Sequence, residues 1–381
     1  MIETAAKLRA ALDESAYDWL ALGSKTHIGY STGYRSVAGD LFESHRMLVL
    51  MSGDQTFVVG GASDGAAAFE AGISAETYIP FGTFYFESVG GEAPESQLTG
   101  RHESFQEAVT DAMSRANIAG RVGFDAGASD LAPAISSVGA EPLDATDWMY
   151  DRRAVKLPEE VERLRVAARL AEQGIDAAIE TAGAGISELE LAKAVATTMA
   201  AGGGFPRFTV VTSGPRSAFS DARPTNRVLR QGDLVRFDVG CTFEGYWSDI
   251  GRTAVVGEPN HLVASRYAAI LAGEEAQLQT VRPGISAEHL FDVAVSAVED
   301  SGLIPYRRQH CGHAIGTEVY ERPVVAPAWP TVLESGMVFC FETPYYEIGW
   351  GGMMVEDALV VTADGADMLT VSDRSLRVIE P

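Results

Sequence analysis

Along residues 1–152 the apolar positions alternate between helical and strand spacing. Thr4–Ser15 is predicted as an amphipathic helix and Asp18–Leu22 as a strand. Arg46–Met51 and Gln55–Gly60 are predicted as a hairpin around Ser52–Gly53–Asp54. Glu103–Ala116 reads as a helix and Arg121–Phe124 as a short strand. The Gly/Ser/Pro-rich stretch Phe86–Gly100 reads as a loop. A boundary falls near Asp151–Leu157, giving domains 1–152 and 153–381. Beyond it the pattern predicts a long helix, Pro158–Thr181. Proline in its first turn, followed by Glu159 and Glu160, suits the positive end of a helix dipole.

The second domain repeats itself. Thr181-AGAGISELELAKAVATTMAAGGG aligns with Thr280-VRPGISAEHLFDVAVSAVEDSGL at an offset of 99 residues. Ser187 and Ser286 are predicted helix N-caps, and Ser187 with Glu190 makes a capping box. Farther on, Asp233–Thr253 (DLVRFDVGCTFEGYWSDIGRT) reads as two strands joined by a turn. If the turn centres on Phe243 and Glu244, Asp238 lies directly across from Asp249, with Cβ atoms roughly 4.5–5.5 Å apart. Carboxylates that close repel one another, so a cation is expected between them. A solvated hairpin with two surface acids is the alternative.

The repeat carries that hairpin into a second copy. GDLVRFD matches GMVFCFE, and SDIGRTAVV matches VEDALVVT. Asp238 thus corresponds to Glu342 and Asp249 to Glu356. Two halves related by a pseudo-twofold would bring four carboxylates to one centre, with His313 as a fifth group. An oxygen-rich shell with one imidazole favours Mn²⁺, Fe²⁺ or Co²⁺, with Zn²⁺ also compatible. Two ions about 3.5–4 Å apart can activate water, polarise a carbonyl and orient a leaving group. Glu342 is a candidate general base.

The motifs D-x10-D, GH-x-x-G, E-T-P and V-E-D-x-x-x-V-T resemble those of the pita-bread metallopeptidases: prolidase, aminopeptidase P, methionine aminopeptidase and their non-peptidase relative creatinase. The resemblance covers Leu157–Thr362, and Thr26–Ser36 is similar to the start of the creatinase-type N-terminal domain. It implies an α/β (α+β) architecture: a pita-bread catalytic domain with an internal pseudo-twofold behind a creatinase-like N-terminal domain. It implies Asp238, Asp249, His313, Glu342 and Glu356 as metal ligands, with Asp249 and Glu356 bridging. A homodimer is usual in that family.

Three positions depart from the family pattern. Prolidases and aminopeptidases P carry two further histidines that position substrate and handle protons; Asp221 and Tyr320 stand in their places, themselves 99 residues apart. The RIED run of the family reads Met354-Val355-Glu356-Asp357 here, without its arginine. Asp221 would attract a cationic amine or guanidino group. Tyr320 would donate one hydrogen bond to an oxyanion without shuttling protons near neutrality, given an ordinary pKa near 10. The aromatic run Thr343–Trp350, with Trp247 and Phe219, would wall an apolar or cation-binding pocket, or form core.

Composition narrows the partners. A net charge of −24 over 381 residues, with four lysines among 29 basic residues, argues against nucleic acid and anionic membrane surfaces. The start reads as a helix and not as a signal peptide, and apolar runs are too short to span a bilayer. Cys241, Cys311 and Cys340, an odd number, point to a reducing cytoplasm and to small buried side chains rather than a nucleophile. His310 is either a ligand-supporting or a loop histidine. The expectation is a dinuclear metal hydrolase cleaving a peptide or amide C–N bond, Xaa-Pro dipeptidase- or aminopeptidase-like. Non-peptidase chemistry on a small amidine, amide or osmolyte-like compound is the alternative, followed by an inactive binding domain.

Overall fold

The computed structural model of the chain describes residues 2–86, 102–183 and 185–380. They divide into two compact units, Met1–Arg152 and Arg153–Pro381. In the first, β1 (Trp19–Leu22), β2 (Leu48–Met51), β3 (Thr56–Gly61), β4 (Tyr78–Phe81), β5 (Arg121–Phe124) and β6 (Glu141–Asp144) form one sheet in the order β4-β3-β2-β1-β5-β6. Strands β1 and β2 are apolar runs without alternation and are buried at every residue, as strands covered on both faces must be. The hairpin expected around residues 52–54 joins β2 to β3. The loop expected over Phe86–Gly100 lies, from residue 87 on, outside the described residues. Two histidines close buried hydrogen-bonded pins: His27 Nδ1 lies 2.7 Å from Asp125, and His45 Nε2 lies 2.7 Å from Asp64.

The second unit holds β7 (Phe205–Ser213), β8 (Leu234–Phe243), β9 (Tyr246–Trp247), β10 (Ile250–Val256), β11 (Gly312–Ala314), β12 (Glu321–Val324), β13 (Val338–Glu342), β14 (Tyr345–Glu347), β15 (Gly351–Met353), β16 (Glu356–Thr362), β17 (Gly365–Met368) and β18 (Arg377–Ile379). Its main sheet runs β12-β11-β13-β16-β10-β8-β7. From the β10/β16 seam the strands read β10-β8-β7 one way and β16-β13-β11 the other, which is the repeat in three dimensions. Each half starts with the same device. Ser187 and Ser286 accept the backbone N–H of Glu190 and His289, capping helices Glu188–Ala201 and Ala287–Asp300. Helix Pro158–Thr181 and the first of these bury Leu164, Ile175, Leu191 and Val195 against Phe237 and Val239. Helices His261–Thr280 and Ala287–Asp300 bury Ile270 and Leu290 against Phe339, Phe341 and Leu359. Side chains alternate along a strand. With Val235, Phe237 and Val239 facing the helices, Arg236 and Asp238 face the other way.

The β8–β10 register corrects the expected pairing. The turn residues are Glu244 and Gly245, both at positive φ (47° and 82°), which is the two-residue geometry that matches strand twist. The register therefore shifts by two residues, and Asp238 pairs with Gly251, not with Asp249. The chain narrows just before Asp249. A Cβ on Gly240 would sit 2.1 Å from the Ser248 carbonyl oxygen and 2.3 Å from the Phe208 ring. Gly240→Ala is expected to lower stability by about 1–3 kcal/mol, read by urea denaturation, because the backbone opposite cannot yield.

Candidate metal centre

One row of paired residues crosses the seam: Glu342 on β13 faces Glu356 on β16, Glu356 faces Gly251 on β10, and Gly251 faces Asp238 on β8. Asp249 precedes Gly251 by two residues and shares its face. Four carboxylates from four different segments thus meet on one side of one sheet. His313, fully buried on β11, completes the group. Its Nδ1–H donates to the Ala314 carbonyl at 3.1 Å, which turns Nε2 toward the acids. Nε2 lies 3.6 Å from Asp249 Oδ2 and 4.0 Å from Glu356 Oε1. One donor atom each from Asp249, His313 and Glu356 lie within 4.8 Å of one another. Glu342 and Asp238 flank this trio along the row.

The charges do not balance within the protein. Burial, then the Asp249 carboxylate, push Asp238 up to about 7. Burial, then Asp249, Glu342 and Asp238, push Glu356 well above the carboxylate range, and burial raises Asp249 against the pull of His313. Glu342 is the exception. Burial opposes its ionisation, but His310 and Arg308 hold it below its usual value. His310 Nδ1 lies 3.1 Å from its Oε1, and Arg308 Nη2 lies 3.5 Å from its Oε2. Asp249 Oδ1 and His313 Nε2 are buried with no hydrogen-bond partner. Buried polar atoms rarely stay unpaired. A divalent cation would meet both atoms and reverse the repulsion among the acids, so this donor set fits metal.

The family model for metallopeptidase family M24 matches residues 162–363, which contain all five groups. The chain belongs to metallopeptidase family M24. This is a family of metal-dependent hydrolases, in keeping with the donor set. The Xaa-Pro dipeptidase of Pyrococcus furiosus is 34% identical over 232 residues, 60% of this chain and 67% of that protein. A probable dipeptidase PepE of Mycobacterium tuberculosis is 34% identical over 238 residues, 62% of this chain and 64% of that protein. The chain therefore aligns with about two thirds of the length of these relatives. Among solved structures, dipeptidase PepE from Mycobacterium ulcerans superposes with a TM-score of 0.78 at 26% identity, covering 99% of this chain and 97% of that one. The X-Pro aminopeptidase of Thermotoga maritima superposes with a TM-score of 0.82 at 23% identity, covering 98% and 99%. That last likeness concerns the pita-bread fold alone.

The atypical positions of this M24 chain have different surroundings. The Tyr320 ring stacks on His313 with centroids 3.6 Å apart and planes 21° apart, and it meets the edge of His310 at 5.8 Å. Asp221 is exposed, and its carboxylate accepts from Ser220 Oγ at 3.3 Å. The aromatic wall offers less to a cationic ligand than its sequence implies, because arginines of the chain already lie over it. Arg266 sits 4.2 Å from the Trp350 ring and 5.2 Å from Tyr345. Arg236 and Arg308 lie 5.3 and 5.7 Å from Tyr346, and Arg207 lies 5.4 Å from Trp247. Sequence reasoning passes over Arg236 and Arg308. For Arg236 the available signal is a cation in an otherwise apolar strand, two residues before an acid and so on its face; Arg308 lies outside the strands and carries no such signal.

Proposed function

We propose that this M24 member is a dinuclear metal-dependent dipeptidase acting on Xaa-Pro dipeptides, with Asp238, Asp249, His313, Glu342 and Glu356 as its ligands. The observation that carries the reading is the seam trio Asp249–His313–Glu356, with two buried donor atoms unpaired and two further acids in the same row. The names of the relatives support the substrate. Asp249, His313 and Glu356 at the seam, with Glu342 and Asp238 beside them in the same row, would hold the ions. When bound, such ions supply Lewis-acid polarisation of the scissile carbonyl and an activated water. Glu342, which His310 and Arg308 hold below its usual pKa, would accept a proton from the attacking water, and His310 Nδ1 lies 3.1 Å from its carboxylate. Tyr320 covers the His313 ring and limits the space above it. Manganese suits the oxygen-rich donors. The same reading includes a homodimer in the cytoplasm, a setting that suits three free buried cysteines.

Tyr320 favours a second reading, in which the pocket is retuned toward a non-peptide amide or amidine. With an ordinary pKa near 10, its phenol stays protonated near neutrality, so it can donate a hydrogen bond and does not shuttle protons. The test is a panel of Xaa-Pro dipeptides and small guanidino and amide compounds, offered to protein loaded with Mn²⁺. Turnover of Ala-Pro or Gly-Pro supports the dipeptidase; no cleaved dipeptide with metal bound sinks it. Restoring both imidazoles in Asp221→His/Tyr320→His is expected to raise kcat/KM for Ala-Pro by about 10²-fold, the usual scale of one general acid–base contribution. Unchanged rates would show that these positions do not tune the chemistry.

A further inference from the structure

Arg236 is fully buried, yet it belongs to no element of the five-ligand pattern. Its Nη1–H donates to Asp238 Oδ2 at 2.8 Å. Its Nε–H donates to the Ser217 carbonyl at 3.2 Å, and Nη2 donates to the carbonyls of Phe219 at 3.0 Å and Ser220 at 2.5 Å. One guanidinium therefore grips a metal-facing carboxylate and the chain segment immediately before Asp221. The same Nη1 lies 3.8 Å from the sulfur of Met354.

Met354 is the position two residues before Glu356 where the family pattern carries arginine. Its side chain crosses Gly251, the cross-strand partner of Asp238: a Cβ on Gly251 would lie 2.4 Å from Met354 Cγ and 2.6 Å from its sulfur. A side chain rooted at residue 354 therefore runs to the place where Arg236 ends. Met354 is itself buried and apolar, and it fills the space beside the guanidinium without adding a second positive charge.

We propose that the arginine has changed strands in this chain: Arg236 on β8 supplies the guanidinium that the family pattern places at residue 354. It is a positioning residue. It fixes the Asp238 carboxylate toward the ion that Asp238 holds, and through three backbone carbonyls it ties the 217–220 segment to the metal centre. The orientation of a ligand and the start of the loop carrying Asp221 then depend on one side chain. The proposal rests on the dinuclear reading above.

The test compares wild type, Arg236→Met, Arg236→Lys and the exchange Arg236→Met/Met354→Arg. Mn²⁺ affinity and stoichiometry are measured by calorimetry, and folding is checked by circular dichroism. Arg236→Met is expected to weaken one of two Mn²⁺ sites by about 10–100-fold, the usual cost of removing a partner that orients a ligand. Arg236→Lys should recover part of the loss, and the exchange most of it. An arginine that merely fills the interior would not be rescued from across the sheet. Folded Arg236→Met with both sites at wild-type affinity overturns the proposal, as does a folded exchange variant no better than Arg236→Met. If Arg236→Met does not fold, an exchange variant that folds and holds both ions supports the proposal, and one that also fails overturns it. Wild-type protein that takes up no Mn²⁺ sinks the dinuclear reading and this proposal together; two ions in wild type with an unaffected Arg236→Met sinks this proposal alone.

Discussion

Glu356→Gln is expected to lower turnover of Ala-Pro by about 10³-fold or more, while the metal-free protein becomes more stable than wild type. The two effects have one origin. Glu356 is 1% exposed, faces Glu342 directly, and lies next to Asp249 and Asp238. Without a cation, burial and the neighbouring acids force Glu356 to take up a proton on folding, and an isosteric amide at this most buried position avoids that cost. With cations present the sign reverses, because Glu356 would be among the residues that hold them. Loss of metal forfeits several kcal/mol of transition-state stabilisation, and three powers of ten correspond to about 4 kcal/mol. Melting curves with and without Mn²⁺ separate the terms. An ion at a hundredfold excess over its Kd stabilises wild type by about 2.7 kcal/mol. Glu356→Gln should start from a higher metal-free Tm and gain little on Mn²⁺ addition. A variant that keeps both the metal-induced rise and the activity would remove Glu356 from the centre.

What the sequence showed of this site, and what it hid, divides along local and non-local lines. The acids were legible because a carboxylate inside an apolar strand is costly without a partner, and because the second copy repeats them 99 residues on. Helix Pro158–Thr181 has the bounds its pattern predicts, since its first-turn proline and acids are local signals. The hairpin register was less legible. Phe243-Glu244-Gly245 allows two placements of the turn, and the choice rests on backbone angles at Glu244 and Gly245. The pairing expected for Asp238 and Asp249 belongs instead to Glu342 and Glu356 in the other half.

Arg236 and the aromatic wall were hidden for a different reason. Their surroundings come from segments remote in the chain: residues 217–220 and 354 for Arg236, and Arg266 for Tyr345 and Trp350. A pattern read along one strand gives the face on which a side chain stands. It does not give what folds back over that face. Residues that orient ligands are therefore harder to read than the ligands, although the chemistry depends on both.

Glu321→Gln is expected to cost about 3–5 kcal/mol of stability at neutral pH without altering the ligand set. Glu321 is 3% exposed and holds two buried cations, Arg153 Nη2 at 2.5 Å and Lys156 Nζ at 2.9 Å, while the Thr317 N–H donates to its Oε1 at 2.9 Å. Removing one partner of a buried pair strands the other. Arg153 keeps Glu318 at 2.8 Å, so Lys156 bears most of the loss. Lys156→Met should therefore cost less than Glu321→Gln, since Glu321 retains Arg153. Burial opposes ionisation of Glu321, but Arg153 and Lys156 hold its pKa down at about 2, against 4.5 when unpaired. A depressed acid stabilises the fold above its unfolded pKa and loses that contribution as pH falls through the folded value. The stability gap between wild type and Glu321→Gln should thus be constant above about pH 5 and shrink between about 4.5 and 2, by about 3 kcal/mol at 1.36 kcal/mol per pKa unit. Urea denaturation across that range measures it. A gap that stays flat down to pH 3 would mean that the carboxylate is not held by these cations.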